Sequence, residues 1–214
     1  MNISEKFKSI QGEGVYCGTP MAFIRFQGCS VGKKICTVCD TDFEHRHSFR
    51  GGGTFTGHDL REWSQGYNHI CLTGGEPLDQ EYLKTLYEIL IRDSRMIHIE
   101  TSGTKRIPDW MEEEIVDHKR IWLTVSPKPG YLKDVIDLAS EVKVIVPGLG
   151  NTTRDWPTLS DALQWEEEGA VVFLQPRNDV LSVDKGNLKF CIDACAEYPS
   201  LRLSVQMHKI LGVQ

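Results

Sequence analysis

Cys29, Cys36 and Cys39 stand in a C-x6-C-x2-C pattern. Three thiolates can hold a [4Fe–4S] cluster at three of its corners. No fourth cysteine lies close by in the chain, so one iron would stay open to a chelating ligand, and the amino and carboxylate groups of S-adenosylmethionine suit it. The same sulfurs with His45 or His47 would also make a Cys3His zinc site. On spacing alone the two readings stand level. The other four of the seven cysteines fit structural roles. Cys191 and Cys195 share a helical stripe with Leu188 and Ile192, which points to core packing, and Cys17 and Cys71 are read in the same way. An odd cysteine count and an N-terminus without an apolar leader point to reduced thiols and a cytoplasmic protein.

A second set of unusual residues recurs at polar corners. These read Thr73-Gly-Gly-Glu-Pro77, Glu100-Thr-Ser-Gly-Thr104, Ser126-Pro-Lys128, Pro147-Gly148, Gln175-Pro-Arg177 and Gln206-Met-His-Lys209. At Gly74 and Gly75 the backbone carries no Cβ, so a ligand could approach the main chain closely, while Glu76 could hold the loop. Each corner follows a short apolar run, and the runs cover 21–26, 69–72, 96–99, 121–125, 142–146, 170–174 and 201–205. Runs so rich in Val, Ile, Leu and Phe read as strands covered on both faces. If the strands are parallel, all their carboxyl ends meet along one edge and the corners converge on one cleft. A zinc knuckle would have no use for such a cleft, which tips the cysteine reading toward the cluster.

Helical patterns lie between the runs. Leu83, Leu86, Tyr87 and Leu90 follow i, i+3, i+4, i+7 spacing and predict an amphipathic helix over 80–92. A second is expected to start near Thr158, a third carries the Leu188–Cys195 stripe, and shorter ones are expected around Trp110 and Leu132. Alternating strands and helices predict an α/β fold. A full eight-fold barrel takes about 250 residues, and this chain has 214. The expectation is therefore an incomplete barrel of about six to seven mostly parallel strands, forming a single domain over 1–214. A polar insertion is expected at 41–65, and within it His47-Ser-Phe-Arg-Gly-Gly-Gly-Thr54 is expected to be the most mobile stretch, because of its three glycines.

The composition, 40% apolar and 25% charged, excludes a disordered or fibrous chain. The net charge of −6 and the lack of a basic run argue against nucleic acid or anionic membrane as a partner. No apolar stretch is long enough to span a bilayer.

The motifs together resemble a known family. Phe7-Lys-Ser-Ile-Gln-Gly-Glu-Gly14, Phe23-Ile-Arg-Phe-Gln-Gly-Cys29, Cys39-Asp-Thr41, the Gly-Gly-Glu-Pro corner, Val125-Ser-Pro-Lys128 and Gln206-Met-His-Lys209 are similar to those of the 7-carboxy-7-deazaguanine synthases. These are radical S-adenosylmethionine enzymes of 7-deazapurine (queuosine) biosynthesis. The resemblance runs nearly end to end. It departs at the cysteines, where Lys33-Lys34-Ile35 lengthens the superfamily's C-x3-C-x2-C spacing. The cluster loop should therefore be atypical. Val38 also stands where an aromatic residue is common.

The resemblance implies the reaction. A reduced cluster would cleave S-adenosylmethionine, and the resulting 5′-deoxyadenosyl radical would abstract hydrogen from C6 of 6-carboxy-5,6,7,8-tetrahydropterin. The ring would contract, ammonia would leave and 7-carboxy-7-deazaguanine would form, with Mg²⁺ in support. Val38, Cys39, Asp40, Gly74, Gly75, Glu76, Ser126, Pro127, Lys128, Gln175, Pro176, Arg177 and Asn178 are then expected to hold S-adenosylmethionine, and Thr41 the Mg²⁺.

Ile10, Gln11, Gly12 and Glu13 would meet the aminopyrimidinone, with Glu13 accepting two N–H groups. Arg25 would fork onto the substrate carboxylate, sharing a barrel-facing side of its strand with Phe23; otherwise it is a surface arginine. Thr73 would reach the substrate from the floor. His208, at the end of the last strand, could relay a proton or be a structural histidine. The carboxylate of Gln214 could cap the pterin site.

A homodimer and an external flavodoxin- or ferredoxin-like electron donor are also implied. Two rivals remain. One is a radical activase acting on a glycyl-radical protein, and the other is a non-catalytic zinc module.

Overall fold

The computed structural model describes residues 1–36, 39, 44, 50–146, 156–177 and 184–213. Their strands form one nine-stranded sheet in the order β3-β1-β2-β4-β5-β6-β7-β8-β9. β1 (Asn2–Ile10) is antiparallel to both β2 (Pro20–Phe26) and the edge strand β3 (Gly53–Thr54). From β2 onward, β4 (His69–Gly74), β5 (Met96–Thr101), β6 (Ile121–Val125), β7 (Glu141–Val146), β8 (Val172–Pro176) and β9 (Arg202–Leu203) all run parallel. The sheet is open, with β3 and β9 at its edges. The seven parallel strands agree with the expected incomplete barrel. β1 and β3 add to it, and neither reads as an apolar run, since β1 carries Glu5, Lys6, Lys8 and Ser9.

The helices are α1 (Gly32–Ile35), α2 (Gly57–Trp63), α3 (Leu83–Leu90), α4 (Asp109–Val116), α5 (Lys133–Asp137), α6 (Leu159–Glu167), α7 (Lys185–Glu197) and α8 (Met207–Leu211). The 80–92 prediction contains α3 and overlaps the 3-10 turn that follows it at Ile91–Asp93. Thr158 caps α6 in a capping box with Asp161, satisfying two backbone donors reciprocally. Thr56 and Asp59 do the same for α2.

Much of the expected insertion at 41–65 is scaffold. Gly53 and Thr54 pair with β1, and Leu60 of α2 is fully buried. The expected mobile stretch begins at His47, and its residues 47–49 lie outside the described residues.

Strand residues alternate between two faces. On the helix side, Ile24, Leu72, Ile99, Leu123, Val144 and Leu174 build one core with α3, α6 and α7. Both faces of the central strands are covered, as expected, but only the helix side is continuously apolar. Phe23 and Cys71 form a small separate cluster with Met21 on the other side. Beyond it that face carries Arg25, Thr73, His98, Glu100, Thr124 and Lys143. A polar residue at every second position leaves a run reading as apolar while lining a cleft.

Candidate active site

The first cysteine leaves the end of β2 in a loop clamped to the one after β4. The Gly75 and Glu76 N–H groups donate to Phe26 O (3.0 Å) and Gly28 O (3.2 Å). Ser30 N donates to Asp79 Oδ2 at 2.7 Å. Lys33, Lys34 and Ile35 form α1, an exposed single turn, so the lengthened spacing is absorbed as a short helix ahead of Cys36. Cys39 N donates to Cys36 O at 3.1 Å.

The three cysteines line one cleft of about 230 Å³ together with Lys128. Interaction with the Cys39 side chain, followed by burial, raises the Cys36 pKa. Burial raises that of Cys29. Lys128 is buried, and its Nζ donates to Ser126 O at 2.8 Å. Among the described residues no three histidine, cysteine or acidic side chains converge as ligands of a single ion would. Three thiols lining one cleft with a buried cation suit a multi-iron body carrying net negative charge.

Gly74, which ends β4 and lines the cleft, and Gly75 after it are required by the fold. A Cβ on Gly75 would lie 1.7 Å from Gly28 O, and one on Gly74, at φ +98°, would lie 2.6 Å from Arg25 Cβ. The close approach is thus between two loops of the chain, and Gly75 does not line the cleft. Glu76 is buried and braces the same region. Its Oε1 accepts from Thr101 Oγ1 (2.7 Å), and its Oε2 from the N–H (3.0 Å) and hydroxyl of Ser102. The loop-holding role expected of Glu76 is the one its hydrogen bonds describe.

The Gln-Gly-Glu-Gly and Gln-Met-His-Lys motifs meet at the other end of the cleft. Met207 N donates to Gly12 O at 3.0 Å. A Cβ on Gly12 would strike His208 Nδ1 at 2.3 Å, so only glycine lets the histidine pack there. Gln206 Nε2 donates to Glu13 Oε1 at 3.0 Å. His208 lines the cleft from α8, not from the end of a strand as expected. The parallel ladder ends at Leu203, and the chain turns into a helix four residues later.

The floor between these ends is charged. Lys143 reaches Glu13 Oε2 at 2.5 Å and Glu100 Oε1 at 3.8 Å. Glu100 Oε1 also accepts from Gln11 Nε2 (3.1 Å), and its Oε2 from Thr73 Oγ1 (2.7 Å). Burial would raise the Glu13 pKa, but Lys143, with help from Gln206 and His208, outweighs it and holds the carboxyl at about 2. Burial likewise opposes ionisation of Glu100 and Lys143, and their mutual attraction wins in both cases. Arg25 lines the cleft near Phe7 with its Nε 2.8 Å from Glu5 Oε1.

Ile10, Ser126 and Gln175 also line the cleft, whereas Pro127, Pro176 and Arg177 do not. The Gln175 side chain accepts from Ser204 Oγ at 2.9 Å. Val38, Asp40, Thr41, Asn178 and Gln214 lie outside the described residues, as do His45, His47 and the Pro147-Gly148 corner.

Two floor residues were missed as site residues. Lys143 interrupts the Val142–Val146 run, and a lysine inside a strand of valine and isoleucine is the signal that could have revealed it. Glu100 was noticed only as part of a corner.

No protein-family model matches the chain. It is 31% identical to the 7-carboxy-7-deazaguanine synthase of Bacteroides thetaiotaomicron, over 99% of this chain and 98% of the relative. It is 31% identical to the synthase of the same name from Escherichia coli over the same shares. The crystal structure of QueE from Escherichia coli superposes with a TM-score of 0.71 at 28% identity, covering 97% of this chain and 94% of that one. Streptococcus suis SuiB matches with a TM-score of 0.59 at 12% identity over 86% of this chain and 48% of that one, a likeness of fold.

Proposed function

This chain belongs to the 7-carboxy-7-deazaguanine synthase family, and we propose that its cleft carries out the ring contraction of 6-carboxy-5,6,7,8-tetrahydropterin to 7-carboxy-7-deazaguanine with loss of ammonia. One observation carries this reading. The three cysteines and the Glu13–Lys143–Glu100 floor line the same cleft. A cofactor end and a heterocycle-binding end thus face a common space.

Cys29, Cys36 and Cys39 would hold a [4Fe–4S] cluster, with Lys128 offsetting its charge. Bound there with S-adenosylmethionine, the cluster supplies one-electron reduction and hydrogen abstraction. Ser126, Gly74 and Gln175 line the space where S-adenosylmethionine would lie. Pro127, Pro176, Arg177 and Gly75 would act through the backbone of the same loops.

At the opposite end, Gln11 and Glu13 offer acceptors to the amino and ring N–H groups of the pterin. Arg25 offers a guanidinium to its carboxylate. His208, fixed against Gly12, is within the cleft and can exchange a proton with bound substrate. We assign Mg²⁺ to Thr41, adenine contacts to Val38 and Asn178, orientation of the cofactor loop to Asp40, and the capping carboxylate to Gln214 on the family resemblance alone.

We further propose that 1–214 acts as one domain, that it pairs as a homodimer, and that an external flavodoxin- or ferredoxin-like protein supplies the electron. No helix among the described residues is long and apolar enough to cross a membrane.

The test is anaerobic. Protein purified without oxygen should be brown and carry about four irons. With reductant, S-adenosylmethionine and the pterin acid it should release ammonia and shift the ultraviolet spectrum as the deazapurine forms. Colourless protein with one zinc would overturn the reading. So would cleavage of S-adenosylmethionine with the pterin left intact, the result expected of an activase.

A further inference from the structure

Lys143 is 3% exposed, sits in the middle of β7 and lines the cleft. Burying an ammonium is costly unless it is paired. Here it has two carboxylates from elements far apart in the chain. Glu13, on the hairpin between β1 and β2, is at 2.5 Å, and Glu100, at the end of β5, is at 3.8 Å.

Three charges of two signs leave this triad at −1. The carboxylate oxygens already meet protein donors: Lys143 at Glu13 Oε2, Gln206 at Glu13 Oε1, Gln11 and more distantly Lys143 at Glu100 Oε1, and Thr73 at Glu100 Oε2. A carboxylate has about four acceptor sites, so both retain acceptor capacity. An anionic, acceptor-rich floor in a cleft calls for a ligand edge made of N–H donors.

Resting on the function proposed above, we propose that Lys143 is a positioning residue. It holds the Glu13 and Glu100 carboxylates side by side as a net-negative receptor for the donor edge of the pterin. Without it, two buried like charges would face each other and one would take up a proton. A protonated carboxyl would then present a donor to a donor. The other ionisable groups acting on this cluster are Glu141 on β7, Arg25 on β2, Lys128 after β6 and His208 on α8. Lys143 reaches both carboxylates.

The experiment compares wild type, Lys143→Met, Lys143→Arg and the double variant Lys143→Met/Glu100→Gln. In carboxyl-labelled protein without substrate, ¹³C NMR should show one new glutamate titration between pH 5 and 9 in Lys143→Met. It should be absent from wild type, from Lys143→Arg and from the double variant. In turnover assays the KM for the pterin should rise at least tenfold at pH 6 in Lys143→Met, more than kcat falls. It should improve as pH increases through the new midpoint, while the wild-type KM stays flat.

A Lys143→Met protein with no new titration, or with a pH-independent KM, would overturn the proposal. So would Lys143→Arg behaving like Lys143→Met. If Lys143→Met does not fold, Lys143→Gln undergoes the same titration. Wild type that fails to consume the pterin would refute the proposed function instead, and the NMR result would still stand or fall by itself.

Discussion

On the helix side of the sheet, Leu72, Ile99, Leu123 and Val144 form a continuous apolar layer. One residue away on the same strands, Thr73, Glu100, Thr124 and Lys143 face the cleft with hydroxyls, carboxylates and an ammonium. Both faces are buried, but they are held together differently. The first gains from area removed from water, roughly 25 cal/mol per Å², and tolerates a change of shape. The second depends on each charge finding its partner, because an orphaned buried ion costs several kcal/mol. A buried strand can therefore provide stability on one face and chemistry on the other.

The largest break in that contrast comes from the cysteines. Cys29→Ser, Cys36→Ser or Cys39→Ser should abolish iron retention and turnover while the far-ultraviolet circular dichroism stays as in wild type. On the polar face, Glu13→Gln leaves Lys143 without its nearest anion and should cost about 3–5 kcal/mol, read from urea unfolding. On the apolar face, Leu86→Ala, at a fully buried α3 position, should cost about 2–5 kcal/mol. It should leave the KM for the pterin near wild type at temperatures where the protein is folded.

The smallest effect is a pH slope. His98 packs against Tyr16 and lies 2.9 Å from His69, and burial followed by His69 lowers its pKa to about 3. Its folded value lies below its unfolded one, so the unfolded state binds more protons between about pH 3 and 6.5. Stability should fall with decreasing pH across that window, by up to about 1.4 kcal/mol per unit. His98→Phe should flatten this slope without altering the unfolding midpoint's response to Leu86→Ala.

The parallel strands were legible because each is a compact apolar run ended by an unusual corner. α3 and α6 were legible from periodicity and from the Thr158 capping signal. β1 and β3 were not, because an antiparallel edge pair needs no apolar run, and β3 is only two residues long. The site was legible at its ends. Cys29, Cys36, Cys39, Glu13 and His208 stand in motifs whose residue types announce their chemistry. Lys143 left a local signal, a lysine within a valine and isoleucine run, but its partner Glu13, 130 residues away, left none. The glycines of the Thr73–Pro77 corner were noticed for ligand approach, and the sequence did not tell that they also let two loops of the chain meet closely.

The bond between Gln206 and Glu13 joins residues 193 apart, with consequences for how the protein is made. During translation the hairpin after β1 emerges early, yet its anchor at Gln206–His208 is synthesised only after the whole sheet. Until then the cleft lacks the wall built from Gln206 and His208, and a nascent or truncated chain ending before Gln206 would have its three cysteines but an unanchored Glu13. Metal loading could therefore precede substrate competence.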